Sequence, residues 1–105
     1  MIDIYSFFKK HQIEIINIIS DFDVNTEFSS HDFIEKFSQK FETDYIEMLI
    51  KYKNTGTAFQ TVHSMLASHL SRNMKIFNIN KSQKKASENV HGNIGKIQWW
   101  IRLRD

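Results

Sequence analysis

Gln60, Thr61, Ser64, Ser68 and Arg72 share one side of residues 57–73 when that stretch is wound as a helix. All but the last are short, uncharged hydrogen-bonding side chains. A helix that needed only to be wetted would usually carry Lys and Glu there. Short hydroxyls and amides instead let a helix approach base edges closely. Gln pairs bidentately with adenine, and Ser and Thr donate to phosphate oxygens. Lys81, Lys84, Lys85 and Lys96 form a second group, with the chemistry of phosphate anchors. Trp100, between Gln98 and Arg102, has a face able to stack on a base or sugar, and Arg102 adds a cation beside it.

Charge distribution supports a polyanion as the partner. Residues 1–50 hold four basic and ten acidic side chains, whereas residues 51–105 hold ten basic and two acidic ones. The net charge of +2 therefore hides an acidic half joined to a basic half.

Other chemistries find no residues to carry them. Cysteine is absent, which removes disulfide frameworks and thiolate-ligated zinc. His63 and His69 are six apart, so they do not stack on one helix face as a metal-binding pair four apart would. His31 falls at a helix start and His91 in a polar segment near Gly92. No phosphate-cradling glycine loop and no nucleophile elbow occurs, so neither catalysis nor a cofactor is expected. Lys9, Lys10 and His11 interrupt the only apolar N-terminal run. Neither a signal peptide nor a membrane span is expected, and an intracellular location follows.

The elements that must position these groups are mostly helical. The 105 residues suffice for one domain, with nine Phe, no Pro and three Gly. One helix is expected over residues 2–22, from Ile2 to Phe22, with Ile15, Ile19 and Phe22 along one face. Its remaining isoleucines leave apolar surface through which two copies would pair. Glu27 and Phe28 suit one short extended pairing. Ser29 and Asp32 have the form of a capping box for a helix whose inner stripe is Phe33, Phe37 and Phe41. A further helix begins near Thr43 and buries Tyr45, Leu49 and Tyr52. Gly56 suits the left-handed residue that ends it. Thr57 and Gln60 form a second capping-box pattern, opening the helix with Phe59, Val62, Leu66 and Leu70 on its core side.

Beyond residue 73 the period changes from helix to strand. Phe77 and Ile79 alternate with polar residues. Ile97, Trp99, Ile101 and Leu103 make a clean apolar row, which places Trp99 in the core and Trp100 on the other face, either to stack on a nucleotide or to pack beneath the N-terminal helix or a partner subunit. Between the strands lies a polar, basic segment over residues 81–96, read as the flexible tip of an antiparallel hairpin. The expected class is mainly α with a C-terminal β-hairpin (α+β), in one domain: an N-terminal helix over 2–22, a helical core over 29–73 and a hairpin over 75–103.

This order of helices followed by a basic hairpin resembles the winged helix-turn-helix fold over roughly residues 13–103. The long wing and one helix more than the minimal form depart from that pattern. The resemblance implies a small regulator or accessory factor that binds double-stranded DNA. The helix over 57–73 would sit in the major groove and the hairpin against the backbone. The competing expectation is a protein–protein adaptor, or an inhibitor of a nucleic-acid enzyme, working through the acidic first half.

Overall fold

The computed structural model describes residues 3–88 and 94–103, with side chains described for 3–82 and 97–103. Among these residues, six helices and one antiparallel sheet follow in the order α1 (Ile4–Lys10), α2 (Gln12–Ser20), β1 (Glu27–Ser29), α3 (Ser30–Lys40), α4 (Glu42–Lys51), α5 (Ala58–Arg72), α6 (Met74–Phe77), β2 (Ile79–Glu88) and β3 (Ile94–Arg102). A 3-10 turn, Lys53–Thr55, links α4 to α5. The chain is thus mostly helical with a small sheet, an α+β arrangement.

The single N-terminal helix expected from the sequence is two helices. His11 leaves helical geometry at φ −108° and ψ 25° while its N–H still reaches Phe7 O at 3.0 Å. Its ring packs on Phe7 and Phe41, and Nδ1 lies 2.8 Å from Glu14 Oε1. Bending there turns two apolar rows inward, Ile4, Phe7 and Phe8 from α1 and Ile15, Ile18 and Ile19 from α2, all of them buried. A straight rod would carry one row off the core. Most of the apolar surface assigned to pairing between copies is therefore spent inside the monomer, with Tyr5 and Ile13 exposed.

α3 starts as the sequence indicates. Ser29 Oγ accepts from Asp32 N at 3.0 Å, and Asp32 Oδ2 accepts from Ser29 N at 2.9 Å, a closed capping box. Its buried row is Phe33, Ile34 and Phe37. α4 begins at Glu42 without a side-chain cap, so Thr43 does not serve as one. Its buried residues are Tyr45 and Met48, with Leu49 and Tyr52 only half-buried. Gly56 holds the left-handed conformation, φ 75°, that frees the chain to turn into α5. The capping box expected between Thr57 and Gln60 does not form: Thr57 makes no side-chain cap and bonds to Thr55 instead. α5 buries Val62, Leu66 and Leu70 with Phe59 half-buried, the row its spacing dictates.

Phe77 belongs to the short α6 rather than to a strand. Asn78, at φ 55°, ends that helix, and its Nδ2 donates to Leu103 O at 3.3 Å. The segment expected to be a flexible loop is largely paired strand, since β2 runs to Glu88 and β3 starts at Ile94. Backbone groups there are satisfied across the ladder, which polar side chains do not prevent on a solvated face. A bulge interrupts the register between Lys81 and Lys84, where Gln98 Nε2 donates to Ser82 O at 2.7 Å.

The sheet order is β1-β3-β2, so the last strand is the central one. β1 pairs with only three residues of β3, Trp99 to Ile101. Beyond them, residues 84–88 and 94–98 continue as a two-stranded arm. Five residues at strand rise make it about 15 Å long.

Candidate nucleic-acid interface

Strand parity decides which side chains of β3 are available. Phe28 lies opposite Trp100 and Ile79 opposite Arg102, so these four positions share the face turned to the helices. Trp100 is 1 % exposed, and its Nε1 donates to Ser30 Oγ at 2.9 Å. Ser30 Oγ in turn donates to Gln98 O at 3.0 Å. The expectation for the tryptophan pair is thus inverted: Trp100 is core and Trp99 lies half-buried on the opposite face. Burying an indole contributes on the order of 5 kcal/mol. Stacking on a base returns only about 1–3 kcal/mol. Trp100 therefore stays inside and is removed from the candidate interface.

Arg102 is likewise committed. Its Nη1 donates to Phe22 O at 2.8 Å and to Ser20 O at 3.3 Å, neutralising carbonyls at the C-terminal end of α2. It is half-buried, with Nη1 held at the end of α2.

The α5 residues retain access. Gln60 and Ser64 are exposed, and Thr61 and Ser68 are half-buried on the side away from Val62, Leu66 and Leu70. No Lys, Arg, Asp or Glu occurs between Ala58 and Ser71. Arg72, at the C-terminal end, is exposed, with its guanidinium 5.5 Å from the Tyr5 ring centre and Nη1 3.4 Å from Tyr5 Oη. That contact orients the cation at the helix end without burying it.

Lys81 is exposed near the base of the arm, opposite Trp100 in register. Lys84 pairs with Gln98, Lys85 with Ile97 and Lys96 with Ala86, which strings three lysines along the arm. The side chains of Lys84, Lys85 and Lys96 lie outside the described residues, as does His91.

The two α5 histidines are structural. His63 Nε2 lies 2.6 Å from Tyr45 Oη, and burial pushes the Tyr45 hydroxyl up to about 12. The His69 ring stacks on Phe8 at 3.8 Å, tilts toward Phe77 at 5.9 Å, and lies 3.3 Å from Asn73 Nδ2. Desolvation, assisted by the Arg72 charge, lowers its pKa to about 4. Near neutrality it is an uncharged wedge between α1 and α6. Among the described residues, no three His, Asp or Glu side chains converge to hold a metal ion. No described helix is long and apolar enough to cross a membrane.

One surface escaped the sequence reading. Ile46, Leu49 and Ile50 of α4 meet Gly56, Thr57, Ala58, Phe59 and Gln60 in an open apolar groove of about 620 Å³, with Lys53 at its edge. Ile46 and Ile50 are 48 % and 53 % exposed. The available signal was two isoleucines four apart and off the row of Tyr45 and Met48.

No family model, curated protein or solved structure matches this chain.

Proposed function

We propose that the chain is a non-enzymatic module that binds double-stranded DNA with a winged-helix-like arrangement, acting as a regulator or accessory factor. Two architectural features support the reading. A single strand sits between two helices and pairs with the last strand, and a hairpin follows the helix with the uncharged outer face. In this reading Gln60, Thr61, Ser64 and Ser68 meet base edges, and Arg72 holds a phosphate at the helix end. Lys81, Lys84, Lys85 and Lys96 anchor the arm to the backbone.

The observation that carries it is the pairing of two unlike surfaces within one continuous segment. α5 offers hydrogen-bonding groups without charge, and the arm that follows concentrates lysine. A protein needing only solubility has no reason to segregate them.

Fluorescence anisotropy with a random-sequence duplex tests the proposal. Micromolar affinity that falls steeply between about 50 and about 200 mM salt is expected. Replacing Lys84, Lys85 and Lys96 with Ala should reduce the log–log salt slope by about three. Absence of binding at low salt overturns the proposal. DNA binding whose salt slope is untouched by the three substitutions removes the arm from the interface, and a protein partner bound through the acidic half without any affinity for DNA favours the adaptor reading.

A further inference from the structure

We infer that α4 is the contact between two copies of this chain, packed antiparallel about a two-fold axis, with Ile50 of each copy seated in the other's α4–α5 groove. The inference does not require DNA binding, although Gln60 belongs to both surfaces, and it rests on the pattern along one helix face.

Read at helical spacing, Glu42, Ile46, Leu49, Ile50 and Lys53 fall on one side of α4 and its 3-10 extension. The stripe begins with an acid, ends with a base and is apolar between. Glu42, Ile46, Ile50 and Lys53 are all exposed, and Leu49 is half-buried. Neither Glu42 nor Lys53 forms an ion pair among the described residues.

An antiparallel copy about a two-fold axis near the middle of α4 sets Ile46 opposite Ile50, and Glu42 opposite Lys53. The surface is thus complementary to itself, in shape and in sign. A parallel copy would set Glu42 against Glu42 and Lys53 against Lys53, which like-charge repulsion disfavours. Gly56 lines the groove without a side chain, and no atom lies within 4 Å of where a Cβ would stand. Leu49 and Phe59 are lining side chains that an incoming isoleucine would meet.

One short helix and the start of another make an interface at the small end of the specific range, so weak, concentration-dependent association is expected. Sedimentation equilibrium over a concentration series reads this directly. The charge-reversing substitutions Glu42→Lys and Lys53→Glu should each weaken the dimer roughly five- to tenfold, because each acts twice in a symmetric contact. Combining them should restore it to within about threefold of the parent. Ile50→Glu should abolish it while circular dichroism stays unchanged, since the site is exposed in the monomer.

The chain has no cysteine, so orientation can be tested by oxidation. A mixture of Ile46→Cys and Ile50→Cys copies should give a mixed disulfide faster than either copy alone. A monomer at all concentrations overturns the inference. So does a dimer indifferent to Ile50→Glu and to the charge reversals.

Discussion

Lowering the pH from about 7.5 towards 4 tests the environment described for His69. In the folded chain its pKa lies at about 4, against 6.5 for a free imidazole. Above pH 6.5 the ring is neutral in both states, and its packing contributes fully. Between 6.5 and about 4 the unfolded chain takes up a proton that the folded chain refuses, so stability falls through that window. The full shift corresponds to roughly 3 kcal/mol. The ring is only half-buried, and solvent screening reduces this to about 1–2 kcal/mol. The assay is urea unfolding at several pH values for the parent and for His69→Phe, which keeps an aromatic ring against Phe8. Other titrating groups affect both proteins alike, so the difference between the two stability curves isolates His69. The variant should lose less stability on acidification, by about 1–2 kcal/mol. Parallel curves, or an imidazole that titrates near 6.5 by NMR, would refute the reasoning.

Further outcomes follow from two polar contacts, one buried and one part-buried. Ser30→Ala strands the Trp100 N–H in the core and should lower stability by about 2 kcal/mol, read by chemical denaturation; an unchanged midpoint would contradict the bond. Tyr45→Phe removes the bond to His63 and should cost about 1 kcal/mol near neutral pH. The parent should also lose stability between pH 10 and about 12, because the unfolded chain releases the phenolic proton that the folded chain keeps. Tyr45→Phe should lack that alkaline loss, measured as denaturant midpoints across the same range.

The legible parts of the fold were those where one local rule acts alone. Phe59, Val62, Leu66 and Leu70 repeat at helical spacing with no competing row, and α5 buries that face. Ser29 and Asp32 needed only their spacing to close a cap. β3 was harder because Trp99 and Trp100 are adjacent, and a strand with large apolar residues on both faces can face either way. A shift of one position exchanges the two faces. The choice was made by partners distant in sequence, Phe28 across the ladder and Ser30 beneath the indole. The bend at His11 was hidden for a related reason: helix propensity runs through it, and the demand for it comes from a core assembled by other segments. Of the candidate interface, the exposure of Gln60 and Ser64 followed from the position of the apolar row on α5. The placement of Arg102 was not legible, because its targets are backbone carbonyls eighty positions away in the sequence.

The place of β3 between β1 and β2 has a consequence for how the molecule is made. Its pairing with β1 joins residues about seventy positions apart, and β2 also waits for the same strand. While synthesis is under way the helices can collapse early, but both outer strands remain without a neighbour until Ile94–Arg102 leaves the ribosome. A chain halted before Ile94 would bare two strand edges together with the cavity that Trp100 fills. Stops placed before Ile94 should therefore yield sticky, protease-sensitive fragments rather than a smaller working protein.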